Sequence, residues 1–293
     1  MPPASVSPDL PALRVIRNLP ARGAGYPRAV TPPTAPRALA HGIRFAFGTL
    51  TVLPVHVTRW DRGAARAGML CAPLAGLVVG LCAAAAGGLL TLLGAGPLLA
   101  ATATAAVPAA LTRGLHLDGL ADTADGLGSG RPAADALRIM KQSDIGPFGV
   151  ITLLFVLVAQ VAALAELYGQ SWAAGAAAAA LSGVTARLAL TLACRPGVPA
   201  ARPEGLGAAV AGAVPVPAAL AVTALTGVCA AASGALFGPY AALHHALAAA
   251  AGLLAAHLLL RHCVRRFEGV TGDVFGALAE TAGTVTLVAL VLG

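Results

Sequence analysis

Arg113-Gly-Leu-His-Leu-Asp-Gly-Leu-Ala-Asp-Thr-Ala-Asp-Gly126 sets three carboxylates, Asp118, Asp122 and Asp125, close together in a chain of which only 11% is charged. If the stretch is helical, the period of 3.6 residues puts Asp122 about 40° to one side of Asp118 and Asp125 about 20° to the other. All three then share a face. Carboxylates about 6 Å apart repel by about 3 kcal/mol per pair at an effective dielectric of about 20, so the cluster needs a cation or bound protons. A hard divalent ion with oxygen ligands meets that need, and Mg²⁺ beside a phosphate substrate is its commonest use. The alternative is a plain cap-and-turn cluster, because Asp and Gly both favour loops. Regular spacing and strongly apolar flanks speak against it.

Those flanks set the fold class. The 293 residues are 58% hydrophobic with a mean hydropathy of +0.81, the composition of a membrane protein. A pI near 9.8 is shared with nucleic-acid binders, but the arginines are scattered among loops without interleaved aromatics. Orientation in a bilayer explains them better, and no nucleic-acid partner is expected. Cys71, Cys82, Cys194, Cys229 and Cys263 lie in or beside apolar segments without CxxC spacing, which argues against disulfides or a zinc site. The expected fold is therefore all-α, a polytopic integral membrane helix bundle of about seven transmembrane helices plus short interfacial or re-entrant helices.

Outward from the aspartates, apolar segments fall at 68–94, 97–112, 148–166, 172–193, 215–237, 240–260 and 276–292. Residues 41–57 are apolar but short and closed by Pro54, as suits an interfacial or re-entrant helix. Residues 1–40 are rich in Pro and Arg and are expected to form a disordered tail, leaving 41–293 as a single transmembrane catalytic domain. Threading the spans alternately gathers the tail, 59–67, 113–147, 194–214 and 261–275 on one side. Every Lys and Arg lies on that side or near a span end reaching it, as Arg187 does. The positive-inside rule makes that side cytoplasmic, so the chemistry is expected to face the cytosol from a cell membrane.

Three connections on that side carry candidate residues. After the aspartates, Ala133 to Ser143 reads as a short amphipathic helix with Arg138 and Lys141 on one face, suited to phosphate oxygens or simply to solvent. Asp144 precedes Pro147 and is placed either to cap the next span or to add a ligand. His116 faces away from the aspartates on a continuous helix, so a role as general base requires a break at Gly114 or Gly119. Arg202 and Glu204, flanked by glycines, suit a rigid turn near an anion. Asp273 and Glu280 are seven apart on one helical face, and an acidic residue inside a span is a functional candidate unless a partner such as Arg187 makes it structural.

Gly114-Leu-His-Leu-Asp-Gly-Leu-Ala-Asp-Thr-Ala-Asp-Gly126, Ile139-Met-Lys-Gln-Ser-Asp-Ile-Gly-Pro-Phe-Gly149, Ala201-Arg-Pro-Glu-Gly-Leu-Gly207 and Gly269-Val-Thr-Gly-Asp-Val-Phe-Gly-Ala277 together resemble the cobalamin synthase, or adenosylcobinamide-GDP ribazoletransferase, family over residues 41–293. Four motifs in order make the likeness specific, where a lone DxxxDxxDG would not. Two departures occur, at Phe47-Gly-Thr-Leu-Thr-Val-Leu-Pro54 and at Lys141-Gln142, and neither touches the aspartates.

The resemblance implies a Mg²⁺-dependent membrane enzyme joining adenosylcobinamide-GDP to α-ribazole, or its 5′-phosphate, with release of GMP. Reading the residues for that reaction makes Asp118, Asp122 and Asp125 the expected metal ligands, and an aspartate or His116 the expected base. Arg138, Lys141, Asp144, Arg187, Arg202, Glu204, Thr271, Asp273 and Glu280 are the expected substrate contacts. Membrane lipid, and association with other corrinoid-pathway enzymes, are expectations of the same kind. Two rivals differ in class. A CDP-alcohol-type transferase would carry an Asp-Gly-x-x-Ala-Arg element and a later Asp pair, which this sequence lacks. An ion-coupled transporter would hold its acidic residues near the bilayer midplane, whereas these lie in connections.

Overall fold

A computed structural model describes residues 35–292, and among the described residues there are eleven helices and no strand. They are α1 Ala35–Leu50, α2 Arg62–Leu92, α3 Pro97–Leu111, α4 Leu115–Gly128, α5 Ala133–Ile139 and α6 Pro147–Gln170. α7 Trp172–Ala193, α8 Gly205–Val210, α9 Val216–Ala235, α10 Pro239–Phe267 and α11 Gly272–Val291 follow. The expected tail lies outside the described residues except at its end, where α1 has already begun at Ala35.

Six helices, α2, α6, α7, α9, α10 and α11, are long and apolar enough to cross a membrane. The expected seventh span differs in form. α3 has 15 residues, a rise of about 22 Å, short of the roughly 30 Å hydrocarbon core. It is followed by α4 at a bend of 87°, so the two count as a seventh span only when taken together, and the aspartate helix turns away from the line of α3. The bend is local chemistry: Arg113 and Gly114 both adopt left-handed backbone, with φ of 54° and 71°, a conformation that only glycine enters without strain.

Start signals in the sequence fix the other ends. Asp61 accepts from the backbone N–H of Gly63 and Ala64 to cap α2, Ser171 caps α7 and Thr271 caps α11. Pro97, Pro147 and Pro239 each open a helix, where a missing N–H costs nothing.

Packing within the bundle relies on small residues, because lipid removes the hydrophobic drive between helices. Gly76 and Gly80 on α2 meet Ala179 and Gly183 on α7, and a Cβ on Gly183 would lie 2.6 Å from the Gly76 carbonyl oxygen. At the end of the bundle that carries the motifs, a core of Phe45, Met69, Leu190, Val210, Phe267, Val274 and Leu278 ties α1, α2, α7, α8, α10 and α11 together. A second core around Leu164, Tyr168, Ala178 and Leu287 fills the other end.

Candidate active site

The four motifs, carried by three connections, meet at one end of the bundle. α4 lies against the first turns of α11 with no room between them: a Cβ at Gly119 would sit 2.6 Å from the Asp273 carbonyl oxygen, and one at Gly276 would sit 2.9 Å from that of His116. Glycines at both points let the backbones touch, which sets Asp118 and Asp122 near Asp273. The third motif is joined alongside. Ala201 N–H donates to the Val270 carbonyl at 3.0 Å and Val270 N–H to the Pro199 carbonyl at 2.9 Å, a single parallel bridge between two loops. Gly207 completes the seat, since a Cβ there would meet the Val270 carbonyl.

Along α4 the three aspartates descend from solvent into protein: Asp118 is exposed, Asp122 half-buried and Asp125 buried. Asp125 is committed structurally. Its two oxygens accept from the backbone N–H of Gly146 at 2.8 Å and of Gly149 at 2.9 Å, so it caps α6 from a different helix. The sequence had suggested Asp144 for that cap. Asp144 instead lies exposed, two residues before the N-cap Gly146, and the role passes to Asp125, a carboxylate 21 positions before that N-cap.

Burial, then the charges of Asp118, Asp273 and Asp125, push the Asp122 carboxyl up to about 7, against which the Arg202 guanidinium acts only in part. Arg202 links α11 to α5: it lies 3.5 Å from Asp273 Oδ2 and donates to the Leu137 carbonyl. Thr271 donates to Asp273 Oδ2 at 3.2 Å while accepting from Val274 N–H, so the cap of α11 also orients that carboxylate. Lys141 pairs with Glu204 at 3.1 Å at the exposed rim.

Other candidates lie elsewhere. α5 ends at Ile139, so Lys141 is past the helix and does not share a helical face with Arg138, which pairs with Asp135 at 3.0 Å. His116 lies in a helix continuous from Leu115 to Gly128 and turns into the bundle, where its Nδ1 accepts from Arg187 at 3.3 Å. Burial, then the charge of Arg187, holds its imidazole well below the usual range. Asp273 and Glu280 share a face but stand about 10 Å apart along the axis, which separates the mouth from the interior. Glu280 and Arg187 line a cavity of about 50 Å³ between α2, α3, α6, α7 and α11. There Gln160 donates to Glu280 Oε2 and to Thr284, each at 2.9 Å. Gln160 was missed from the sequence, although an amide within the apolar run of α6 is a legible sign of an interior polar network.

Among the described residues no three carboxylate, imidazole or thiol groups meet closely enough to form a closed metal site. Mg²⁺ does not require one, because it usually takes one or two carboxylates and completes its shell with water and substrate phosphate. The donor set suits it: hard oxygen donors, a half-buried Asp122 whose carboxyl is raised by burial and by the neighbouring carboxylates, and one adjacent guanidinium.

The family model described as cobalamin-5-phosphate synthase matches residues 42–291. Among curated proteins, the chain is 43% identical over 262 residues to one from Frankia casuarinae, covering 85% of this chain and 94% of that one. It is 42% identical over 253 residues to one from Nocardioides sp., covering 84% and 96%, and 38% identical over 255 residues to one from Bradyrhizobium diazoefficiens, covering 84% and 91%. Each of the three is named adenosylcobinamide-GDP ribazoletransferase. No solved structure matches the chain.

Proposed function

The chain belongs to the cobalamin-5-phosphate synthase family, and from that membership we infer that it is a membrane enzyme joining adenosylcobinamide-GDP to α-ribazole or its 5′-phosphate. The products are adenosylcobalamin, or its 5′-phosphate, and GMP. The observation that carries this reading at the level of the site is the apposition of α4 and α11, which sets Asp118 and Asp122 opposite Asp273 with Arg202 beside them.

Asp118 and Asp122 would hold Mg²⁺, with Asp125 anchoring their helix to α6. When bound, the ion supplies neutralisation of the charge that grows on the diphosphate and on departing GMP. Arg202 and Lys141 orient phosphate oxygens, a task that suits charged N–H donors. A ribose hydroxyl of α-ribazole other than the 5′ oxygen, which stays esterified when the 5′-phosphate is the substrate, forms a bond to the phosphorus attached to cobinamide, and its proton passes to Asp273. The bond from that phosphorus to the bridging oxygen breaks, and its electron pair leaves with GMP. Arg187 and Glu280 act from the interior, Arg187 tying α7 to α4 through His116 and Glu280 tying α11 to α6 through Gln160. The site faces the cytoplasm, a reading supported by the arginines gathered in the connections at its end of the bundle.

GMP release from washed membranes, given adenosylcobinamide-GDP, α-ribazole and Mg²⁺, tests this directly. Metal-dependent formation of GMP and cobalamin, lost in Asp122→Asn, is the expected result. Turnover unchanged by Asp122→Asn would remove this carboxylate from the mechanism.

A further inference from the structure

Away from the aspartates, an open cavity of about 440 Å³ lies where the C-terminal half of α10 meets the loop after α7. Arg195, His257, Arg261 and Arg265 line it with Gly197 and Leu260, and no carboxylate does. Among the described residues none of the three arginines forms an ion pair. Arg195 stands 3.1 Å from His257 Nδ1. A guanidinium only donates, so Nδ1 accepts, and in the neutral ring the N–H is left on Nε2 as a further donor. The groove thus offers three guanidinium groups and an imidazole N–H to an anion.

What the anion is attached to follows from α10. Leu254, Leu258, Arg261 and Arg265 recur at spacings of four, three and four, so they form one stripe along the helix. Leu254 and Leu258 are 59% and 56% exposed on a helix long and apolar enough to span a membrane, and Arg261 and Arg265 are exposed where it leaves. A molecule whose phosphate sits in the groove therefore has exposed leucine directly beneath it on the same stripe. A nucleotide or free phosphate makes no use of that face, and an acyl chain does. Arg202, which pairs with Asp273, lies at the far end of the same loop, beyond the bridge that joins Ala200 to Val270.

We propose that this groove is a binding site for the headgroup phosphate of an anionic phospholipid, whose acyl chains lie along Leu254 and Leu258. Basic pockets beside spanning helices on the cytoplasmic side recognise such headgroups by the same chemistry.

The full chain, reconstituted in phosphatidylcholine bilayers containing phosphatidylglycerol and extracted gently, is assayed for co-retained lipid by native mass spectrometry. Wild type is expected to retain phosphatidylglycerol selectively. Arg261→Gln with Arg265→Gln is expected to bind it about thirtyfold more weakly, at roughly fivefold for each arginine. Arg44→Gln with Arg66→Gln, which removes equal charge from exposed positions outside the groove, is expected to bind as wild type does. Equal loss in both double variants would reduce the effect to surface potential and overturn the site. Displacement of the lipid by α-ribazole 5′-phosphate or inorganic phosphate would reassign the groove to a soluble anion and overturn the proposal equally. Should the groove double variant fail to fold, Arg265→Gln alone reads the same binding at roughly a fivefold loss. The readout is independent of turnover, so it stands or falls apart from the assigned reaction.

Discussion

Gly119→Ala is the most informative single change in the site, because it adds one methyl group and removes no functional group. That methyl would lie 2.6 Å from the Asp273 carbonyl oxygen and 2.9 Å from its Cα, where ordinary contact begins at 3.4 Å. Both obstacles are backbone in the first turn of a buried helix, so neither can swing aside. Relief requires α4 to move from α11 by about 0.8 Å, the difference between 3.4 and 2.6 Å, which carries Asp118 and Asp122 away from Asp273. Overpacking of this kind costs about 1–3 kcal/mol of stability, and a misplacement near 1 Å costs about 10²-fold in rate. The expected outcome is folded protein with a modestly lowered melting temperature and turnover reduced by tens-fold to about a hundredfold. Gly169→Ala on α6 is the control, since a Cβ there meets nothing. Metal-dependent GMP release by both variants, with thermal unfolding in the same detergent, separates the two effects. Gly119→Ala turnover within about threefold of wild type would refute the claim that contact between α4 and α11 sets the carboxylate geometry.

Four further outcomes follow from the same geometry. Asp125→Asn keeps one acceptor oxygen for the two N–H groups of α6, so it should cost about 1–2 kcal/mol in thermal unfolding and raise the half-saturating Mg²⁺ concentration less than Asp122→Asn does. Because the metal-free Asp122 carboxyl titrates near 7, bound Mg²⁺ must displace its proton, and half-saturation read from GMP release should need about tenfold less Mg²⁺ at pH 8 than at pH 6. In the metal-free protein the same shift has a definite sign. The raised pKa contributes stability that is complete below the ordinary 3.8 and is lost as pH rises through about 7, so unfolding temperature should fall over that window unless Mg²⁺ is present. Arg202→Lys keeps the charge but cannot reach both the Leu137 carbonyl and Asp273 in the same fork, so turnover should fall about tenfold or more with little change in expression.

Much of this was written in the order of residues. Hydropathy alone announces a helical membrane bundle, since a bilayer leaves the backbone few ways to satisfy its hydrogen bonds. The 3.6-residue period places Asp118 and Asp122 on one face, and the motifs at 139–149, 201–207 and 269–277 point to the connections that meet there. Start signals at Asp61, Ser171, Thr271 and three prolines are equally local, because a cap acts within three residues of itself.

What only the tertiary structure decided is which carboxylate serves which purpose. Periodicity sorts residues by the face of their own helix and carries no information about what lies opposite. Asp125 shares a face with Asp118 and Asp122, yet the N-terminus of α6 arrives beside it and takes both its oxygens. Asp273 and Glu280 share a face as well, but one stands at the mouth against Arg202 and the other inside the bundle beside Gln160. The aspartate helix itself turns away from the line of α3 because Arg113 and Gly114 adopt left-handed backbone, a turn that hydropathy cannot register. Local sequence fixes what is helical and what is apolar. The roles of these charges depend on groups arriving from distant parts of the chain, since burial and charge act through space.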